Sequence, residues 1–259
     1  GLPTRYGDTQ NTDIVLKMEK TTIYPGIVEL EEMGLEVHRA AGMEVPRSWL
    51  VDLSGVYGIA IERFDRTAQR IPRFMESLYS VLASADLTLL THYDTTYDRI
   101  GRAVNSVDIR LVDDRKAAQS HLLQRLVMAM LTGNGDLHLM NLSLLKTESG
   151  TGFSPVYDPT AMRAYSKHNE MVPREMTFGD YGDWIDGQDD MVDFEQGMGR
   201  FIKGLGLSLK DGVNVIEKAF QDTEDYPDRV DDLKTLPGEN KKQLIKIHHD
   251  MNSLLRRVK

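Results

Sequence analysis

The hydrophobic pattern changes period along the chain. In DIVLKMEK (13–20), Ile14, Leu16 and Met18 alternate with Val15, Lys17 and Glu19, the two-residue repeat of a half-buried strand. Across PGIVELEEMGLEVHRAAG (25–42), Ile27, Leu30, Met33, Val37 and Ala41 fall three or four apart and can share one helix face. Pro25 suits a first turn there and Gly42 a helix end. SWLVDL (48–53) and VYGIAIERF (56–64), separated by Ser54-Gly55, predict a hairpin.

Past ERFDR (62–66) helical spacing takes over, in TTYDRIGRAV (95–104), DRKAAQSHLLQRLVMAML (114–131) and three segments nearer the C-terminus, MVDFEQGMGRFIKGLGL, VNVIEKAFQ and NKKQLIKIHHDMNSLLRRV. Two short strands, NLSLL (141–145) and FSPVYD (153–158), interrupt that series, joined by the turn-rich KTESGTG. The order predicts an α+β fold. A small β-rich N-terminal lobe (1–66) precedes a larger helical C-terminal lobe (67–259), with the boundary near residues 64–70. No repeat or low-complexity tract breaks this pattern.

Composition narrows the function classes. A chain of 259 residues with 41% hydrophobic and 27% charged residues can bury a sizeable core without covalent staples. It has no cysteine, which removes disulfides and thiolate zinc sites and fits a reducing compartment. The longest apolar run, LVMAML (126–131), is far too short to cross a bilayer, and no signal segment opens the chain, so a cytoplasmic setting is expected. A net charge of −9 argues against broad nucleic-acid binding by the chain itself, though a partner could touch DNA. The loop-like opening GLPTRYGDTQNTD, which starts at Gly1, suggests that further residues precede it.

GNGDLHLMN (133–141) carries the candidate chemistry. Asp136 and Asn141 stand five apart in a glycine-bearing bend, and Asp158 follows after the predicted hairpin, which would return it beside that bend. Phosphoryl transfer needs this kind of set: an acid to orient and deprotonate a hydroxyl, hard oxygen ligands for Mg²⁺, and a cation on the nucleotide phosphates. Lys17, mid-strand in the other lobe, could supply the cation, held by Glu31 or Glu29 on the next helix. Each feature alone has an ordinary explanation. An Asp in a Gly-rich turn is usually a turn residue, and a strand lysine usually a solvated one. Their order and spacing together favour the functional reading.

The stretches IVLKMEK, ELEEMGLEVHRAAGMEVP, AIERFDR, LTGNGDLHLMNLSLL and PVYDP resemble the HipA-like serine/threonine kinases, toxins of bacterial toxin–antitoxin systems. The chain is most similar to the short HipT type, in which the N-terminal subdomain is a separate small protein, and GDYGDWIDGQDD (179–190) resembles a C-lobe segment of that type. The resemblance runs from about residue 13 to at least 210. It implies a bilobal protein-kinase-like fold, ATP and Mg²⁺ as cofactors, and a protein substrate such as an aminoacyl-tRNA synthetase. Its implied partners are a DNA-binding antitoxin and a small accessory protein. Asp136 would be the catalytic aspartate, Asn141 and Asp158 the metal ligands, and Lys17 the phosphate-neutralising cation. Glu31 would match the helix glutamate, Glu62 and Phe64 the hinge that offers backbone groups to adenine, Asp65 a neighbour of the ribose and His138 of the nucleotide.

Two positions depart from that family. Its members usually carry Lys or Arg just before the loop asparagine, where this chain has Met140, and no serine–glycine phosphate clamp precedes Lys17. A small-molecule phosphotransferase of aminoglycoside or choline kinase type, and a nucleotide-binding pseudokinase, are the alternative readings. His248-His249 with Asp250 suggests a surface helix more than a metal site, because adjacent histidines diverge on a helix. Trp184 reads as a packing anchor, and Ser77, Ser80 and Ser84 as helix-surface positions.

Overall fold

The computed structural model describes residues 12–19, 23–168 and 194–259. The opening GLPTRYG and the segment GDYGDWIDGQDD with Trp184 lie outside the described residues. The first sheet is antiparallel, in the order β1 (Ile14–Met18), β3 (Val56–Glu62), β2 (Ser48–Leu53). Its hairpin turns at Ser54 (φ 58°) and Gly55 (φ 90°), the two consecutive left-handed residues that a tight, strand-compatible turn requires.

Register decides what each face of this sheet does. Val15 pairs with Ile61 and Lys17 with Ile59, so these four side chains share the face toward α1 (Ile27–Ala40), where Ile59 and Ile61 pack on Val28 and Leu35. The opposite face carries Ile14, Leu16, Met18, Trp49, Leu53 and Val56, each 42–51% exposed. That is a continuous apolar face with nothing over it among the described residues.

Helix α1 serves two cores. While Val28 and Leu35 meet the sheet, Leu30, Met33, Val37 and the following Ala41 enter the large core with α4 (Arg115–Thr132). Its first turn is tied down twice. The buried Glu19 carboxylate accepts the Gly26 N–H at 2.9 Å and the Val28 N–H at 3.4 Å, capping the helix start. Glu29 accepts the backbone N–H groups of Lys234 and Thr235 and the Thr235 hydroxyl. A Cβ on Gly34 would meet the Pro159 carbonyl at 2.6 Å, so only glycine allows this approach.

The larger part wraps around α4, which is buried on nearly every side from Leu122 to Thr132. Around it lie α2 (Leu78–Ala83), α3 (Tyr97–Asn105), α5 (Phe194–Gly204), α6 (Leu209–Asp222), α7 (Tyr226–Asp232) and α8 (Gly238–Leu255). A second antiparallel sheet, β4 (Met75–Ser77), β5 (Ser143–Thr147) and β6 (Gly150–Phe153), closes one side. No helix among the described residues is long and apolar enough to cross a membrane.

Several expectations need correction. The strand expected at 153–158 lies earlier, at β6; Pro155 has no N–H to continue the ladder, and beyond it the Val156 N–H turns to the Glu44 carbonyl instead. Pattern reading also missed β4, α2 and α7. Ser77 ends β4 and caps α2, its Oγ accepting the Ser80 N–H at 3.1 Å, and so does not sit within a helix surface. The C-terminal helix lies at the surface but buries one face. Leu244, Ile247, His248, Met251 and Leu255 are buried, and the His248 Nδ1 lies 3.0 Å from the Leu131 carbonyl. No cluster of three His, Asp or Glu suited to a metal occurs among the described residues.

Candidate active site

Strand alternation aims Lys17 at the cleft between the two sheets. Its Nζ lies 2.7 Å from Glu31 Oε1 on α1 and 2.9 Å from Asp158 Oδ1, reached from the far side of the chain. Glu31, not Glu29, therefore takes the lysine; Glu29 is spent on residues 234–235. Asp158 holds a left-handed backbone (φ 53°), which costs most residues about 1 kcal/mol and is borne most easily by Asn and Asp. Thr160 Oγ1 lies 3.4 Å from the same Asp158 oxygen.

The bend at 133–141 is folded by its own amides. Gly133 (φ 74°) terminates α4. Asn134 Oδ1 accepts the Asp136 N–H at 3.0 Å, and Asn141 Nδ2 donates to the Asp136 carbonyl at 2.8 Å. Five-residue spacing thus lets Asn141 close the loop on Asp136 and leaves its Oδ1 as the atom suited to a cation. Sequence reading missed the residues that hold this loop from behind. Tyr97 donates its hydroxyl to Leu137 O at 2.6 Å, Tyr157 to Met140 O at 2.5 Å, and Arg125 its Nη2 to Asn141 O at 3.1 Å. Two signals were available: a lone arginine inside the apolar run of α4, and a tyrosine directly before Asp158.

Two adjoining cavities share Lys17, Glu31 and Asp158. One, about 200 Å³, adds Asp136 and Thr160 to these, with Met18, Ile27, Val28 and Met162 as its apolar lining. The other, about 320 Å³, has an apolar wall of Val15, Ile61, Phe64, Met75 and Tyr157, with Glu62 and Asp65 at its rim. This shape fits a ligand with a flat apolar end and an anionic end, as a nucleotide has.

The proposed adenine-side residues are partly engaged already. The Glu62 N–H donates to the Arg47 carbonyl at 2.8 Å, so its own carbonyl is the group left for a base. The Asp65 carboxylate accepts from Arg63 Nε at 2.8 Å and Arg66 Nη1 at 2.8 Å, which a ribose would have to share. His138 and Asn141 do not line either cavity. His138 packs against His92 and Tyr93, with Nε2 3.9 Å from Asp136 Oδ1.

Electrostatics distinguishes the acids. Burial raises Asp136 above the usual carboxylate range, Asp158 raises it further, and His168 and His92 oppose. The His138 imidazole is pushed down to about 4 by burial and then by His92, so it is neutral at pH 7. Burial works against the Lys17 ammonium, but Glu31 and Asp158 outweigh it and raise its pKa.

Glu31 is pushed up to about 7, chiefly by burial, with Lys17 pulling the other way. The folded state therefore keeps a proton that the unfolded chain has lost. The stability this contributes is full below pH 4.5 and is lost as pH rises through about 7. Glu31→Gln removes the titration. The melting temperature of the wild type should fall relative to that of the variant across this window; parallel pH–melting curves would contradict the assignment.

Two small sheets, a helical lobe and a lysine, glutamate and aspartates meeting between them define a bilobal, protein-kinase-like fold. The chain belongs to the family described as HipA-like C-terminal domain, which it matches over residues 4–225. Among curated proteins it is 27% identical over 152 residues to "Putative kinase" of Haemophilus influenzae, covering 55% of this chain and 43% of that one. It is 34% identical over 152 residues to "Putative kinase Y4dM" of Sinorhizobium fredii, covering 52% and 34%. The chain thus spans less than half the length of these relatives.

Solved structures share the fold, two of them as follows. Shewanella oneidensis HipA, from a complex with HipB and operator DNA, superposes with a TM-score of 0.66 at 18% identity, over 94% of this chain and 58% of that one. The Helicobacter pylori proinflammatory kinase CtkA superposes with a TM-score of 0.63 at 14% identity, over 96% and 87%.

Proposed function

We propose that this chain is an ATP- and Mg²⁺-dependent serine/threonine protein kinase that acts as the toxin of a toxin–antitoxin pair. The observation that carries the reading is Lys17 joined at once to Glu31 and Asp158, in a cleft that also holds Asp136. Asp136, its basicity raised by burial, accepts the proton of the attacking hydroxyl. Lys17 screens the nucleotide phosphates, and Glu31 keeps its ammonium in place. Asn141 Oδ1 and Asp158 are the oxygens that would hold Mg²⁺, which neutralises phosphate charge when bound. The apolar wall through Phe64 and Tyr157 excludes water on the adenine side. Incubation with γ-labelled ATP and Mg²⁺, offering aminoacyl-tRNA synthetases, aminoglycosides and choline as acceptors, tests the reading. Label on protein supports it, whereas label on a small molecule moves the chain to that other class.

A second reading, a pseudokinase, is favoured by one observation. Met140 is 48% exposed at the position where relatives of this type carry a cation. Nucleotide binding without transfer would support it.

Two partners follow from the toxin reading: a DNA-binding antitoxin, as HipB is for the Shewanella protein, and a small accessory protein. The second would sit on the outer sheet face of Leu16, Trp49 and Val56, because an uncovered apolar face of this kind marks an interaction surface. Isolated wild-type protein should self-associate and enhance a hydrophobic dye's fluorescence. Leu16→Glu with Trp49→Glu should abolish both; unchanged scattering and dye signal would reject the surface.

A further inference from the structure

One cation in the large core has no acid beside it. Arg125 lies midway along α4, 3% exposed, and no carboxylate is within ion-pair distance of it among the described residues. Its Nη2 hydrogen bond goes to the Asn141 carbonyl, and the Asn141 side chain in turn holds the Asp136 carbonyl. The titratable neighbours are neutral at pH 7. Burial, then Arg125, pushes His38 down to about 4 and His121 to about 3, while burial pushes the Tyr97 and Tyr157 phenols up. Burial lowers Arg125 as well, but only to about 10, so it stays charged.

A buried cation without a counter-ion is among the most costly groups a core can hold, and apolar replacement of buried charges is often neutral or stabilising. A tie for the Asn141 carbonyl alone does not require a charge. Tyr97 and Tyr157 hold the neighbouring carbonyls of the same loop with neutral hydroxyls.

We propose that Arg125 is a positioning residue for phosphoryl transfer: through Asn141 it sets Asp136, and its uncompensated charge backs the loop at which Met140 offers none. The inference rests on the kinase reading above. Residues one step behind metal ligands typically change metal affinity about 10- to 100-fold when replaced.

The test compares wild type, Arg125→Met and Arg125→Lys. Arg125→Met should melt at or above the wild-type temperature without ligand. It should need about tenfold more Mg²⁺ for half-maximal transfer, with lower kcat and an unchanged KM for ATP, since Arg125 does not line the cleft. Arg125→Lys should restore part of the Mg²⁺ response. Wild-type kcat and Mg²⁺ dependence in Arg125→Met would overturn the proposal. So would a lowered melting temperature that accounts for the lost activity, which would mark a structural tie only. If the wild type itself transfers no label, the kinase reading fails. The role of Arg125 is then read from the Mg²⁺ concentration that gives half of the ATP-induced rise in melting temperature: raised about tenfold in Arg125→Met it supports the proposal, and unchanged it refutes it.

Discussion

Asp136→Asn is expected to slow phosphoryl transfer by about 10²- to 10⁴-fold, the usual worth of a positioned general base. Fold and nucleotide binding should survive. The loop bonds made by Asp136 use its backbone N–H and carbonyl, not its carboxylate, so the isosteric amide leaves the 133–141 bend as it is. What the variant loses is a basic oxygen whose proton affinity burial and Asp158 have both raised. Transfer of label from ATP, measured beside the melting temperature with and without Mg²⁺·ATP, separates the two properties. An amide variant as active as the wild type would remove Asp136 from the chemistry.

Asp158→Asn should be comparably severe, about 10³-fold, because a metal-binding carboxylate carries several kcal/mol of charge stabilisation and each tenfold in rate is about 1.4 kcal/mol. Asparagine is the informative replacement. It tolerates the left-handed backbone at this position about as well as aspartate, so lost activity cannot be assigned to strain. Lys17 keeps Glu31 as its partner and stays in the cleft. Removing the Asp158 charge also removes one of the two influences that raise Asp136, so any residual activity should persist to lower pH. Mg²⁺ titration of the transfer rate checks the assignment; an unaltered requirement for the ion would show that Asp158 does not hold it.

Much of this site was legible from period and order. Two-residue alternation found the strand that carries Lys17 but not which face meets α1, since the apolar Ile14, Leu16 and Met18 turn away from that helix; three-to-four spacing set Glu31 on a helix beside it. The spacing of Asp136 and Asn141 matched a loop closed by one amide. Less visible was anything that depends on distant chain. Nothing local distinguishes Glu29 from Glu31, and only the packing of residues 234–235 against the helix start separates them. Arg125 is hidden for a different reason, since an arginine in a helix normally marks a solvated face and here it marks the interior. The engagement of Asp65 by Arg63 and Arg66 lay in plain view within ERFDR, yet the spacing alone did not say that the arginines turn inward onto it.

Shared membership of α1 in both cores governs how the molecule assembles. The first sheet contributes little buried apolar surface of its own, chiefly Ile59 and Ile61 against Val28 and Leu35. Such a nucleus is too meagre to outweigh the conformational entropy of ordering three strands. Those strands therefore condense only on a helix already seated by its other flank, and the N-terminal quarter is a dependent foldon of its larger neighbour. Excising it at residue 66 would yield an unstructured peptide, however clear the architectural seam looks.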